Sequence, residues 1–393
     1  MSVNNSSFQR NCNISLIANT IKMSKGISRI NISEELSLYK SSVTNIVSIL
    51  LENKIIEESD EITTSKRIGP KAKLLKLNPK VGNIVGIEIN HNFYKIVFVN
   101  FAGDTIYQDD GVVPKNESLP DIIDYAMKKV LTIKDLLPTP ILAINFGIAG
   151  IIDSRNGVIE YLGELDIHNF DIYEYGKQKY GIPFYCDNDA NCCSWFELME
   201  KQNSKSDDFL TVYAVTKLNS SAKIKNSYTG IGLGMSLVIN NSVYTGKNFK
   251  AGEYLSYSWD GDNSKQSGID ENTLKSVNQN EKSFRLWLKD LCTSLLTIIS
   301  ILDISTLFLL GDTFNDKQTI MQFIQEDSPS FLAILKKEKI NIEFEKNSNF
   351  IVAKGAALMF LQKLFNVPSL FEVKDKTYLE WDNIFDIIKN GER

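Results

Sequence analysis

The sequence predicts an α/β body standing behind a small helical head that ends in a β-hairpin. Three observations predict it. Charge changes sign near residue 80: the first eighty residues hold 12 Lys/Arg against 7 Asp/Glu, and the remainder 31 against 41. Within those eighty residues, three short amphipathic stretches precede two short apolar runs. Beyond them, apolar strands ending in glycine or in polar clusters alternate with helical periodicity. The 393 residues, 43% apolar and 23% charged, are ordinary globular composition, enough for two or three domains. Five scattered cysteines without CxxC spacing argue against a disulfide framework or a cysteine-based zinc site, and suggest a reducing cytoplasm. The polar stretch from Met1 to Asn13 has no signal-peptide core, and residues 291–310 are interrupted by Cys292, Thr293, Ser294 and Asp303. Neither a secreted nor a membrane protein is expected.

In the head, Ile14, Ile17, Ala18 and Ile21 share one face of a helix over 13–23, which Gly26 ends. Ser28 suits the N-cap of a second helix, Arg29 to Leu36. After a tight connection, a third helix over 40–52 turns Val43, Ile46, Val47, Leu50 and Leu51 inward and Lys40, Ser41, Ser42, Thr44, Asn45 and Ser48 outward. A strand at 54–57, a polar wing and a strand through Leu74, Leu75 and Leu77 complete a winged helix-turn-helix. Small hydroxyl residues permit close approach to a duplex, and Asn45 has the amide that pairs with an adenine edge; the plainer alternative is a solvated helix face. Glu57, Glu58, Asp60 and Glu61 repel phosphate, so the wing tip is expected to face away from DNA. Basic residues around Gly69-Pro70, among them Arg67 and Lys71, form a linker suited to phosphates or a minor groove.

In the body, 85–89 and 94–99 read as consecutive strands with a turn at Gly103-Asp104, followed by a helix over 119–130 and a buried strand over 141–146. A strand at 183–186 runs into Asp187-Asn188-Asp189-Ala190-Asn191 and a helix to Met199. A polar cluster at the carboxyl end of a strand is where α/β folds place ligands. Thr229 to Gly234, Ala251-Gly252-Glu253, a helix over 283–302, a strand over 307–310 and a helix over 353–365 follow.

These motifs, in this order, resemble the ROK family (repressors, open reading frames and sugar kinases), in its repressor branch with an N-terminal winged helix. Ser28-Arg29 with 38–47 resembles the family's head pattern, Gly69-Pro70 its linker, and 147–153 its GxPGxVD motif. Residues 187–191 are similar to its ENDANAA box, 229–234 to its TGIGxG loop and 251–253 to its AGE box. The resemblance implies a two-lobed, actin-like (ribonuclease H-like) body. The expected division is a DNA-binding domain and linker over 1–80, a first lobe over 81–190 completed by 366–393, and a second lobe over 191–365 carrying oligomerisation and part of a sugar cleft. The DNA contacts expected are Arg29, Lys40, Ser41, Ser42, Thr44, Asn45, Arg67 and Lys71.

In the family's kinases, the residue matching Asp189 takes the proton from a sugar hydroxyl, and those matching Asn188 and Glu253 hold other hydroxyls. The resemblance thus implies a sugar site at Gly150, Asn188, Asp189 and Glu253, made of oxygen acceptors suited to hydroxyl donors. Asp189 has an alternative reading as the N-cap of its helix, and Glu253 as a solvated turn residue. Two departures matter. The phosphate motif DxGGT reads Glu88-Ile89-Asn90-His91-Asn92 here, so side chains stand where bare backbone would meet ATP. The His after AGE is Ser256 and no CxCGxxGC follows, so no structural zinc is expected and the next loop is left to Tyr257 and Trp259, or to mobility. The expectation is a sugar-controlled transcriptional repressor without catalytic residues, cofactor or metal. It works as a homodimer or homotetramer on an operator in double-stranded DNA, in the cytoplasm or on the nucleoid. The alternative is a sugar kinase with an accessory head.

Overall fold

The computed structural model describes residues 5–24, 26–62, 73–200, 208–217, 230–262, 265–345, 348–370 and 372–391. Arg67, Lys71, the Gly69-Pro70 linker and the stretch 218–229 lie outside them.

The head consists of α1 (Asn5–Met23), α2 (Arg29–Glu35), α3 (Lys40–Glu52) and the antiparallel pair β1 (Ile56–Ile62) and β2 (Lys73–Leu77). Ser28 caps α2 as its sequence suggests, accepting from Asn31 N. Ile14, Ile17, Ile21, Ile32, Val43, Val47 and Leu50 are fully buried between the three helices. Helix α1 begins eight residues earlier than its apolar spacing indicates. Its first turns lack an apolar stripe, and they are held instead by the C-terminal segment described below.

The first sheet has the order β10-β6-β3-β4-β5, from β3 (Asn83–Ile89), β4 (Phe93–Asn100), β5 (Thr105–Val112), β6 (Ile141–Ile148) and β10 (Phe184–Asn188). The pairs β3–β6 and β6–β10 are parallel, so their carboxyl ends open on the same side. Helix α4 (Leu119–Lys134) starts at a capping box of Ser118 and Asp121 and packs Ile122, Ala126 and Val130 on one face. After β6, a small antiparallel sheet forms from β7 (Ile151–Asp153), β8 (Val158–Leu162) and β9 (Ile167–Asp171), before α5 (Ile172–Tyr180). This sheet occupies a stretch punctuated by Asn156-Gly157 and Gly163, a hairpin signal that the sequence expectations passed over.

Helix α6 (Asp189–Glu200) leads to the second sheet, β13-β12-β11-β14-β15, from β11 (Phe209–Lys217), β12 (Gly230–Ile239), β13 (Ser242–Tyr244), β14 (Thr306–Leu310) and β15 (Asn341–Phe344). Helices α7 (Glu271–Ser276), α8 (Glu281–Leu302), α9 (Lys317–Asp327) and α10 (Pro329–Glu338) cover its outer face. The chain returns through α11 (Ile351–Phe365) and ends in α12 (Trp381–Gly391).

Packing corrects the expected boundary at 365. Helix α11 lies on β3, β4 and β6 of the first sheet, although the expected division gave it to the second lobe. The cause is steric. A Cβ on Gly86 of β3 would fall 1.8 Å from Ala353 O, so backbone meets backbone there. On its other side α11 meets α6, where a Cβ on Gly355 would fall 1.8 Å from Cys192 O. Helix α6 also contacts β11 and β12, so the α6–α11 pair joins the lobes. Among the described residues no helix is long and apolar enough to cross a membrane.

Candidate functional site

The head presents the start of α3. Lys40, Ser41, Thr44 and Asn45 are exposed and Ser42 is half-buried, while Val43, Ile46 and Val47 fix the helix from beneath. Thr44 spends its hydroxyl on Lys40 O at 2.8 Å. Tyr39, at the N-cap position, is 84% exposed and makes no side-chain cap bond. Ion pairs bear on two expectations here. Arg29 carries its guanidinium 3.2 Å from Glu58, so a phosphate would have to share it. Glu58 is not a bare repulsive charge. Lys73, at 2.6 Å, and then Arg29 hold its carboxyl below the usual range, against a small opposing effect of burial. The acidic residue at the base of the wing therefore neutralises its own neighbours instead of aiming outward.

In the body, the strand ends bring Gly150, Asn188 and Asp189 together. Asn188 Nδ2 donates to Gly150 O at 3.0 Å, and Asn188 Oδ1 accepts from Ala190 N at 2.9 Å and Asn191 N at 3.4 Å. Asn188 therefore caps α6, the role that Asp189 was weighed for. Asp189 accepts its neighbour's amide, Ala190 N, onto Oδ1 at 2.8 Å. Asp187 is a structural anchor: it accepts from Asn191 Nδ2 at 2.8 Å and Trp195 Nε1 at 3.0 Å and is fully enclosed. Gly234 of β12 closes the other side, where a Cβ would stand 3.3 Å from Ala190 Cβ and 3.9 Å from Asp189 Oδ1. The next residue, Met235, donates its N–H to Gly252 O at 3.0 Å, which clips the Ala251-Gly252-Glu253 turn to the same strand. Glu253 is open in outline, yet enough protein surrounds it for burial to raise its carboxyl, with Lys250 pulling the other way. Strand β12 thus meets the Asp189 end of α6 through Gly234 and the Ala251-Gly252-Glu253 turn through Met235.

The sequence reading missed what surrounds the turn after β3. Glu88 is buried and 3.2 Å from Lys95 Nζ across the β3–β4 register. Burial pushes its carboxyl up to about 7; Lys95 opposes the shift and the charge of Asp189 adds to it. Next to it, His91 Nδ1 lies 3.0 Å from Glu164 Oε2, which ties the hairpin to the β8–β9 turn. The stretch 161–169 is strand and turn, with the Glu164 side chain only 12% exposed. Leu162 and Ile159 of β8 bury into the first lobe's core and fix the register. Ile89, Ala149, Leu162 and the His91–Glu164 pair line a recess of about 260 Å³, open to solvent. A signal was available for the strands: Asn156-Gly157 stands between the apolar pairs Ile151-Ile152 and Val158-Ile159, and Gly163 follows.

In the loop after Glu253, Trp259 Nε1 donates to Asp262 O at 2.9 Å, while the Tyr257 side chain is 66% exposed and only its N–H engages, donating to Ser294 Oγ at 3.1 Å. A hydroxyl cluster binds the loop to α8. Tyr254 OH donates to Ser294 Oγ at 3.2 Å, Ser294 Oγ lies 3.3 Å from Ser256 Oγ, and Ser256 and Ser258 are 3.1 Å apart. Gln266 reinforces it by donating to Leu233 O at 2.6 Å.

Comparison with known proteins agrees with this geometry. The profile of the ROK family matches residues 84–254. The xylose repressor of Caldicellulosiruptor bescii is 28% identical over 245 residues, 61% of this chain and 56% of that protein. The chain spans about half the length of the curated relatives it matches. Among solved structures, a ROK family transcriptional regulator, described as a homolog of the E. coli MLC protein, superposes with a TM-score of 0.69 at 15% identity, over 93% of this chain and 99% of that one. A ROK family glucokinase from Streptomyces griseus, in complex with glucose and AMPPNP, superposes with a TM-score of 0.53 at 16% identity, over 71% of this chain and 99% of that one. The first of these structures shares the fold through head and body alike. Residues 84–254 are a ROK-family domain, carried behind a winged-helix head on the fold of a ROK transcriptional regulator.

Proposed function

We propose that the chain is a DNA-binding transcriptional repressor of carbohydrate genes, relieved by a sugar in the cleft between the lobes. The observation that carries this reading is the exposed start of α3, where Lys40, Ser41, Thr44 and Asn45 face solvent over a buried apolar underside. Lys40 and the serines suit phosphate, and Asn45 suits an adenine edge in the major groove. Arg67 and Lys71 supply linker contacts in this reading. Gly150, Asn188, Asp189 and Glu253 hold the sugar, with Asp189 and Glu253 accepting its hydroxyls and Asn188 fixing the turn that carries Gly150. Closing the lobes on the sugar turns two paired heads of a symmetric oligomer away from half-sites one DNA turn apart.

In this reading the turn after β3 counts against phosphoryl transfer, for a physical reason. A phosphate cradle needs unobstructed backbone N–H groups. Here Asn90 N donates to Phe93 O at 3.0 Å within the turn, His91 is engaged by Glu164, and Glu88 faces Lys95. The kinase neighbours among solved structures share the body's fold, which makes phosphorylation the alternative to test. Genome-wide capture of bound DNA, followed by a gel shift on the recovered fragment with and without sugars, tests the repressor. Turnover of ATP with a pentose or hexose, abolished by Asp189→Asn, establishes the kinase instead.

A further inference from the structure

One short segment touches both the cleft and the head. Between α11 and α12, Lys376 Nζ reaches Asp171 Oδ2 at 2.9 Å and Glu174 Oε1 at 3.1 Å, which pins the segment to the first lobe. Thr377 is buried against the β7–β8 turn. Its hydroxyl is shared between Ser154 O at 2.9 Å and Arg155 O at 3.0 Å, and its N–H also donates to Arg155 O at 3.0 Å. The side chain of Arg155 points elsewhere: its guanidinium lies 5.5 Å from the ring centre of Phe249 in the second lobe. Phe249 sits in a tight turn at φ 57°, just ahead of Ala251-Gly252-Glu253.

On the other side the same segment holds α1. Asn11 Nδ2 donates to Tyr378 OH at 2.7 Å, and Trp381 N donates to Asn11 Oδ1 at 3.0 Å. Trp381 Nε1 donates to Ser15 Oγ at 2.9 Å, and Arg10 Nη1 reaches both oxygens of Asp382 at 2.8 Å. Asn11, Ser15 and Trp381 are buried. Helix α1 packs in turn on α2, α3 and β2, so its placement sets the placement of α3.

We propose that residues 375–382 are a strap through which the cleft sets the angle of the DNA-binding head, with Arg155, Thr377 and Asn11 as its positioning residues. This rests on the regulator reading given above. Movement of the second lobe carries Phe249 against Arg155 and displaces the β7–β8 turn. Thr377 follows through its hydrogen bonds, and Asn11 passes the displacement to α1. The joints from Thr377 to α1 are buried and hydrogen-bonded, so they transmit motion. The Arg155–Phe249 contact lies nearer solvent and is the joint that makes and breaks.

The test uses the full chain with Phe249→Leu, Thr377→Val and the double variant. Affinity for the captured operator fragment is measured without sugar, with D-xylose and with D-glucose, and sugar affinity by calorimetry. In the wild type the effective sugar weakens operator binding by a factor within the usual coupling range of roughly 5- to 150-fold. Each variant is expected to keep operator and sugar affinity separately while that factor falls toward one, and the double variant to fall no further, since both act on one route. An undiminished factor in either variant overturns the proposal. Hydrogen exchange over residues 8–23 decides the case where the wild type ignores operator or both sugars, which would sink the regulator reading by itself. Faster exchange at Asn11 to Ser15 in Phe249→Leu, a change made in the other lobe, supports the strap. Unchanged exchange in both single variants overturns it.

Discussion

Glu88→Gln gives the sharpest test of the buried charge at the base of the cleft. The Glu88 carboxyl is raised from an ordinary 4.5 to about 7, first by burial and then by Asp189, with Lys95 opposing. An acid whose pKa rises on folding stabilises the fold least where it must ionise. Below pH 4.5 the group is protonated in both states and imposes no penalty. As pH rises toward 7 the unfolded chain ionises freely while the folded one resists, and stability falls. Each pKa unit is worth about 1.4 kcal/mol, so the whole titration removes roughly 3 kcal/mol, as an order of magnitude. Glutamine cannot ionise, and the cost of leaving Lys95 without its partner is constant over this range. Urea unfolding of both proteins, followed by tryptophan emission, should therefore show the variant gaining on the wild type by roughly 3 kcal/mol from pH 4.5 to about 7. Other titrating groups are common to both and cancel in the difference. Parallel curves over that window would refute the claim that Glu88 is driven toward its neutral form.

Gly252→Ala is expected to abolish sugar binding in calorimetry and to destabilise the chain by more than about 1 kcal/mol. Its φ of 94° disfavours any side chain, and a Cβ there would lie 1.9 Å from Met235 O. Lys22→Met should raise the thermal midpoint most below pH 7 and converge on the wild type at higher pH. Burial lowers this ammonium to about 7 although part of it still meets solvent, so the charged form weakens the fold at and below that pH. Asn45→Ala should cost about 1–3 kcal/mol of operator affinity and relax the preference at one base pair, whereas Lys40→Ala should weaken all sequences alike and reduce the salt slope by about 1; both are read by fluorescence anisotropy.

Helices α2 and α3 were legible almost to the residue because each carries its own signal: Ser28 at a cap, and Val43, Ile46, Val47 and Leu50 at helical spacing. The cleft residues were legible through the order of the ROK motifs, since Asn188 and Asp189 follow a buried strand directly. What they do was less so. Asn188 took the capping role because its amide both accepts from α6 and donates to Gly150 O, a choice that depends on a turn 38 positions earlier in the chain. The start of α1 and the whole of α12 escaped notice for a shared reason. Their stability comes from partners distant in sequence, such as Asn11 with Trp381, and no local pattern announces such pairs. The Arg29–Glu58 pair was hidden in the same way, since nothing nearby reveals that Glu58 comes within reach.

The glycine contacts of α11 also constrain how the two halves of the body can shift. Where Gly355 abuts Cys192 O and Gly86 abuts Ala353 O, no side chain intervenes that could compress or change rotamer. Such a junction resists both parting and sliding, so it acts as a fulcrum. Relative rotation about the α6–α11 contact would leave the spacing at that axis constant while positions farther from it swept longer arcs.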